Sequence, residues 1–215
     1  MTSAPAAGRS RWSDRPVVRS VRLFAGLVLY GTGLAVLVKA HLGLDPWTVF
    51  SQGLASRTGL TLGELTVIIS LVVLLLWIPL RQRPGLGTVA NALVVGPVLD
   101  LGLAVLPDAG PVAARVVYLA VAMAAVAVAT GLYVGVGWGP GPRDGLMTGL
   151  VDLGLPIYLA RTLIEGTVLV AGWLLGGTVG VATVVFALSM GPLVARALPR
   201  LALPPTLPPA APASP

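Results

Sequence analysis

Long runs of apolar residues alternate with short polar segments along the 215-residue chain. Six of these runs are candidates for membrane-spanning helices, which need about 20 predominantly apolar residues. They cover residues 23–38, 65–80, 86–106, 116–136, 157–175 and 179–197. Only 10% of the residues are charged, whereas a typical soluble domain carries about 25%. The pattern therefore predicts an all-α membrane protein with six transmembrane helices in contact with the lipid bilayer.

Two shorter helices are predicted between the spans, over residues 46–57 and 142–152. Pro46 and Pro142 suit the first position of a helix, and Asp45 precedes Pro46 as an N-cap acceptor. Helices of this length cannot cross a hydrocarbon core of about 30 Å. We expect each of them to be re-entrant or interfacial, and the pattern alone does not choose between these two placements.

The chain contains an internal repeat at an offset of 95 or 96 residues. Residues 85–97 align with residues 180–192, and seven of the 13 positions are identical. Because each copy contains an odd number of spans, the second copy must insert upside down relative to the first. The two predicted inverted three-helix repeats cover residues 21–107 and 112–198. Inverted repeats are common in secondary transporters, with the binding site at the repeat interface, although a fold alone does not determine function.

Basic residues are distributed unevenly between the two ends of the predicted spans. With both termini in the cytoplasm, 11 Lys and Arg residues lie inside and three lie outside, as the positive-inside rule favours. We expect residues 1–20 to form a disordered cytoplasmic arm whose arginines contact anionic lipid head groups. The Pro/Ala-rich tail, residues 199–215, is also expected to be disordered. The repeat requires the first span, so we expect that span to stay uncleaved.

The composition excludes several classes of function. The chain has no cysteine and only one histidine, His41, which excludes disulfides, thiolate metal sites and histidine-rich zinc or haem sites. We therefore expect no cofactor, and His41 is expected to be interfacial rather than a proton relay. The net charge of +6 is concentrated before the first span and forms no basic face with interleaved aromatic residues, so nucleic-acid binding is not expected. The sequence contains no recognisable nucleophile–base pair, so an enzyme is not expected.

The motif Gly-Pro-Gly-Pro-Arg-Asp-Gly opens the second short helix. A helix N-terminus at Pro142 with Arg143 beside it favours an anion. Asp45 and Trp47 occupy the equivalent place in the first repeat, and two re-entrant helices would bring both N-termini together near the membrane midplane. The candidate substrate-binding residues at these two sites are Pro142, Arg143, Asp144, Asp45 and Trp47. In the alternative interpretation, Arg143 and Asp144 cap the helix, pair locally and anchor the cytoplasmic surface.

Three further candidates lie within the predicted spans. Glu165 is nine residues into the fifth span, about 13 Å from its start, and an ionisable group at that depth is a functional candidate by default. Arg161 precedes it by one helical turn and can pair with it or extend to the cytoplasmic interface. A structural ion pair between helices is the alternative interpretation. The last candidate is Asn91, which lies within the third span.

Several motifs are typical of one group of bacterial membrane proteins. They are Leu-Gly-Leu-Asp-Pro-Trp at residues 42–47, Trp-Ile-Pro-Leu at 77–80, Arg-Pro-Gly-Leu-Gly-Thr at 83–88 with Asn91, Gly-Pro-Gly-Pro-Arg-Asp-Gly-Leu-Met at 139–147 and Arg-Thr-Leu-Ile-Glu at 161–165. Through these motifs the chain resembles the YczE-like proteins, which are related to the wider YitT group. The resemblance implies a protein of the bacterial plasma (inner) membrane with no assigned biochemical activity. Lys39 and His41 depart from the milder residues that such proteins often carry.

Two functional hypotheses follow from the repeat and the broken helices. The leading one is a small-solute or ion transporter that takes a small anionic or polar solute at the repeat interface. The alternative is a scaffold or regulator that transports nothing and assists a membrane partner, or acts as a homodimer. Glu165→Gln and Asp144→Asn would impair a transporter and leave a scaffold intact.

Overall fold

The structure, a computed structural model, describes residues 16–204. These residues form eight helices and no strand, which confirms the all-α prediction. The helices are α1 (Pro16–Lys39), α2 (Pro46–Thr58), α3 (Leu62–Leu76), α4 (Leu86–Val105), α5 (Val112–Val134), α6 (Pro142–Asp152), α7 (Ile157–Leu174) and α8 (Val181–Leu201). Five of them, α1, α4, α5, α7 and α8, are long and apolar enough to cross a membrane.

The predicted second span, residues 65–80, is broken in the structure. Helix α3 ends at Leu76, and turns occupy residues 77–81. Pro79 explains the early end, since proline lacks an N–H donor and disfavours helical backbone at the residue before it. By length, α3 counts as a span only together with α2, from which it is bent by 113°. The described residues therefore contain five spans, or six when this bent pair is counted as one.

Helix α1 is the centre of the bundle and packs against α4 and α5. Small residues allow the close approach, as in many membrane helix pairs. A Cβ at Gly26 would lie 2.9 Å from the backbone nitrogen of Tyr133 in α5, and one at Gly31 would lie 2.8 Å from the carbonyl oxygen of Val95 in α4. Helix α1 therefore supplies the face on which a helix of each half is positioned.

The expected disordered arm is wrong for residues 16–20, which form the beginning of α1. Arg19 is only 2% exposed, and it donates to the carbonyl oxygens of Val136 (2.5 Å) and Pro204 (2.6 Å). Arg19, in the first turns of α1, therefore donates to protein carbonyls and not to the lipid head groups that the sequence predicts as its partners. Residues 1–15 lie outside the described part of the chain.

The expected disordered tail is likewise wrong for residues 199–201, which complete α8. Arg22 of α1 donates to the carbonyl oxygen of Leu201, at 2.5 Å. This contact satisfies a carbonyl at the helix end that has no partner within the helix. The beginning of α1 and the end of α8 therefore lie at the same end of the bundle, and residues 205–215 lie outside the described range.

The loops before the two short helices are fixed to the last long helix of the opposite half. The loop before α2 accepts a hydrogen bond at Leu42 O from Ala182 N of α8, at 2.9 Å. The loop before α6 accepts one at Trp138 O from Gly87 N of α4, at 2.8 Å. Each bond satisfies a free N–H at a helix N-terminus. The two short helices therefore start from matched anchor points on opposite halves.

Helix packing also connects the halves. Helix α4 packs on α1 as α8 packs on α5, and each short helix packs on the helix that follows it. In addition, α2 packs on α7 and α6 packs on α3, so both short helices lie between α3 and α7. Both short helices thus pack between the same two helices.

Candidate functional site

Asp45 is the N-cap residue of α2, and its side chain lies inside the protein. Its backbone is extended (φ −67°, ψ 156°), its carboxylate accepts from Thr48 N at 3.4 Å, and Pro46 occupies the first helical position. This is the cap that the sequence predicts, but Asp45 is fully buried. A buried carboxylate needs a charged or hydrogen-bonding partner, and α6 provides one.

Trp77 positions the beginning of α6. Its indole Nε1 donates to Pro142 O at 2.9 Å, and its side chain is 2% exposed. Gly145 lies directly against the indole, where a Cβ would overlap the ring. The turn after α3 therefore fixes the first turn of α6, and it places Arg143 opposite Asp45.

The ion pair between Arg143 and Asp45 joins the two short helices. Arg143 Nη1 lies 3.5 Å from Asp45 Oδ2. The same guanidinium hydrogen-bonds the hydroxyl of Tyr30 and lies 5.3 Å from the centroid of its ring. Tyr30 is roughly 21 Å along α1 from Pro16 and roughly 14 Å from Lys39. The pair therefore lies near the middle of a membrane-spanning helix, where the converging N-termini were expected.

Asp144 lines the same cavity as Arg143 and contacts α5. It accepts a hydrogen bond from the hydroxyl of Tyr133, at 3.1 Å. Tyr133 in turn packs edge-on against Tyr30, with the ring centroids 5.9 Å apart and the planes at 87°. The alternative in which Arg143 and Asp144 pair with each other is not what the structure shows, because each residue contacts a different element.

A charged cavity of about 150 Å³ lies beside this pair. Its charged residues are Arg143, Asp144, Arg161 and Glu165, and Tyr30, Tyr133, Trp47 and Phe186 also line it. Arg161 Nε and Glu165 Oε1 are 3.1 Å apart. The two side chains therefore pair within α7, and not between helices as the structural alternative supposed.

A second, smaller cavity of about 40 Å³ shares Trp47 and Arg143 with the charged cavity. We call it the hydroxyl-lined cavity, because its polar residues are Thr48, Ser51, Thr66, Ser70 and Asn91. The side chain of Asn91 has no hydrogen bond to another residue within 16–204. Trp47 and Arg143 thus lie between a cavity whose other polar groups are uncharged and a cavity with four charged side chains.

The structure brings the eight candidate residues to these two cavities. Seven of them line one cavity or both, and the eighth, Asp45, contacts Arg143. Sequence reasoning missed Tyr30, Tyr133 and Trp77. A tyrosine or tryptophan inside an apolar segment was the available clue, since its polar group usually finds a partner when buried.

His41 lies far from both cavities, at the end of α1. Its Nε2 lies 2.7 Å from Asp108 Oδ1, and Lys39 Nζ lies 3.4 Å from the same oxygen. Both contacts lower the pKa of the Asp108 carboxyl, which lies in the loop between α4 and α5. His41 and Asp108 are exposed (51% and 60%), whereas Lys39 is largely covered (17%), and the interfacial placement of His41 stays a prediction.

Comparison with known proteins identifies the family. Residues 17–198 match the model of a family described as "Family of unknown function (DUF6198)". The chain belongs to this family. It is 37% identical to an "Uncharacterized protein" of Haemophilus influenzae over 189 residues, which cover 87% of this chain and 86% of the relative. It is 29% identical to the "Uncharacterized membrane protein YczE" of Bacillus subtilis over 187 residues, 86% of this chain and 87% of the relative.

A second Bacillus subtilis relative, "Uncharacterized protein YyaS", is 25% identical over 163 residues, 74% of this chain and 81% of the relative. No solved structure matches the chain. The resemblance to YczE-like membrane proteins is confirmed by these matches, and so is a multi-pass membrane protein.

Proposed function

We propose that this family member transports a small polar solute or ion, with the binding site where its two halves meet. One observation carries the proposal. The ion pair between Arg143 and Asp45 joins the first turns of two broken helices midway along α1, with a polar cavity on either side. Ionisable residues within membrane spans are costly to bury and are functional-site candidates by default.

The lining of the two cavities supports the inverted repeat on which this proposal depends. Residues of the hydroxyl-lined cavity correspond, at the repeat offset of 95 or 96, to residues of the charged cavity. The pairs are Trp47 with Arg143, Thr48 with Asp144, Ser51 with Met147, Thr66 with Arg161, Ser70 with Glu165 and Asn91 with Phe186. Together with the matched hydrogen bonds of the two loops, these pairs favour a single binding site between the repeats. Such a site is reached through one cavity from each side of the membrane, as in inverted-repeat transporters.

The central ion pair would act as the barrier between the cavities. Separating Arg143 from Asp45 without replacement would leave a fully buried carboxylate and a partly buried guanidinium without their counter-charges, which is costly. A bound solute that supplies hydrogen bonds or charge would lower that cost, so binding and opening would be coupled. Trp47 and Arg143 line both cavities, and their movement would connect the two.

The charges of the site favour a neutral or cationic solute. Arg143 pairs with Asp45, and Arg161 pairs with Glu165. Asp144 is then an additional carboxylate with a tyrosine hydroxyl as its partner. Two guanidinium groups face three carboxylates, so the anion suggested by the N-terminus of α6 and Arg143 alone becomes the less favourable ligand.

We further infer a place in the bacterial plasma membrane with cytoplasmic termini. The relatives come from bacteria, and the excess of basic residues on one side supports the orientation. The contact between Arg22 and Leu201 supports termini that share one side.

Flux measurements on purified protein in liposomes test the proposal. The panel should hold cationic, neutral and anionic solutes, and Arg143→Gln should reduce the flux that the wild type supports. Asp152→Asn is the matched control, because Asp152 bonds Gln82 at the exposed end of α6 and lies outside both cavities. Absence of flux for every solute, with a partner protein that co-purifies with the chain, would instead support the scaffold.

A further inference from the structure

A wide apolar groove lies between α3 and α7. It has a volume of about 560 Å³ and is bounded on its inner side by the two short helices. Apart from Thr167 and the indole nitrogen of Trp47, its lining is apolar, with Phe50, Leu54, Val72, Leu146, Leu163 and Val168 among its residues. Val72 and Leu163 are about half exposed, at 52% and 49%. Since α3 and α7 belong to a membrane-embedded bundle, this open side faces hydrocarbon.

The groove adjoins both polar cavities, and the same side chains form the walls between them. Trp47 and Ile164 line the groove and the charged cavity. Trp47, Ile69 and Val73 line the groove and the hydroxyl-lined cavity. An apolar groove open to lipid thus lies next to a polar chamber, with Trp47 and Ile164 between them. This combination is complementary to a molecule with a hydrocarbon chain and a polar head.

The charged cavity indicates the sign of that head. Two carboxylates and two guanidinium groups line it, and one of those guanidinium groups, Arg143, is already paired with the Asp45 carboxylate behind the lining. The site as a whole therefore carries one negative charge more than it has guanidinium groups. One oxygen of the buried Asp45 carboxylate, Oδ1, has no hydrogen-bond partner in the described part of the chain. Aromatic rings of Tyr30, Tyr133 and Phe186 also line the chamber, and aromatic faces attract ammonium groups. These features together favour a positively charged nitrogen.

We propose that the site binds a membrane amphiphile with an ammonium-bearing head, which enters laterally between α3 and α7. The head occupies the charged cavity and the hydrocarbon chain lies in the groove. This inference rests on the proposed function and names the substrate class. It assigns the groove to a lipid-like ligand, and not to a second copy of the chain or to a soluble cation without a chain.

Photolabelling of the full chain in nanodiscs tests the inference. The probe is a dodecyl trimethylammonium that carries a diazirine in its chain, with a dodecyl sulfate that carries the same diazirine as the anionic comparison. We expect the ammonium probe to label groove residues of α3 and α7 about ten-fold more than the sulfate probe, and Glu165→Gln to reduce this preference. Competition by dodecyl trimethylammonium, but not by tetramethylammonium at the same concentration, is the result expected for an amphiphile.

Two matched variants identify the location of the label. Leu163→Trp fills the groove and should reduce labelling by about ten-fold. Val170→Trp places the same side chain at an equally exposed position of α7 (54% exposed) outside the groove lining, and labelling should be unchanged. Equal labelling by both probes, insensitivity to Leu163→Trp, or covalent dimers in place of lipid adducts would overturn the inference.

The outcomes separate this inference from the proposed function. Flux of a water-soluble solute without ammonium-specific labelling would refute the amphiphile and preserve the transporter. Specific labelling without flux of either class of molecule would refute transport and preserve the binding site.

Discussion

Asp45 Oδ2 lies 3.5 Å from Arg143 Nη1, and this contact joins two residues that are 98 positions apart in the chain. Each residue belongs to the first turn, or the cap, of a short helix. The hydroxyl of Tyr30 in α1 hydrogen-bonds the same guanidinium, so α1, the cap of α2 and the first turn of α6 meet at Arg143. The geometry makes this pair a direct connection between the two short helices.

Removing one partner of the pair should destabilise the protein more than removing both. Asp45→Asn leaves Arg143, which is 28% exposed, without its counter-charge. Breaking a fully buried pair typically costs about 3–5 kcal/mol, and the partial exposure of Arg143 places this loss at the lower end of that range. The double variant Asp45→Asn with Arg143→Gln should recover part of that loss. Thermal unfolding in one detergent provides the measurement, with Asp152→Asn as a control that should leave Tm unchanged. Strictly additive effects of the two substitutions would show that the residues do not interact.

Glu165→Gln should impair transport with a modest effect on folding. The substitution removes a charge that faces the cavity and pairs with Arg161 at 3.1 Å. We expect solute flux to fall by about ten-fold or more, as for intramembrane acids on a transport path. Glu64→Gln is the matched control, because Glu64 caps α3 by accepting from Thr61 N and lines neither cavity. An unchanged flux in the Glu165 variant would assign that acid a purely structural role.

Gly145→Ala should displace α6 or lower stability, because the added methyl would overlap the indole of Trp77. Overpacking of this kind costs about 1–3 kcal/mol. Gly166→Ala offers the comparison, since nothing lies within 4 Å of a Cβ at that position of α7. There the alanine should be neutral or stabilise the helix by about 0.5–1 kcal/mol. Equal Tm values for the two variants would contradict the close packing of α6 on Trp77.

The Asp108 cluster should make a small, pH-dependent contribution to stability. Its contacts with His41 and Lys39 lower the pKa of the carboxyl in the folded state. A lowered folded pKa means that the contribution is present above the unfolded pKa and is lost as the pH falls through the folded pKa. The Tm difference between wild type and Asp108→Asn should therefore shrink in acid. A difference that grows in acid would contradict the assigned partners.

Local chemistry explains which parts of the fold were predictable. The side chain of Asp45 caps a helix and the ring of Pro46 suits the first helical position, so these two residues fix a helix start. In the structure α2 begins at Pro46. Pro142 gives the beginning of α6 in the same way. Such features depend on neighbouring residues only, so a sequence displays them directly.

Long-range contacts explain what was missed. Arg19 is buried because it donates to the carbonyl of Val136, 117 residues away, and to that of Pro204, 185 residues away. Neither partner is visible in the sequence around Arg19, so the pattern predicts a basic residue at the membrane surface instead. Tyr30 likewise shows its role only when Arg143 is placed beside it. The motif at residues 139–145 and the equivalent place in the first repeat did indicate Arg143 and Asp45 as candidate site residues, but no local pattern showed that these two side chains pair. Pairings between distant elements have no local pattern to display.

Cysteine accessibility at two repeat-related positions tests most directly whether the cavities are two sides of one site. The chain has no cysteine of its own, so Ser51→Cys and Met147→Cys can be labelled without background. Ser51 lines the hydroxyl-lined cavity and Met147 the charged one. We predict that a membrane-impermeant thiol reagent reaches Ser51→Cys from one side of the membrane and Met147→Cys from the other, and that a transported solute slows both reactions. Labelling of both positions from the same side would contradict the inverted arrangement and the site between its halves.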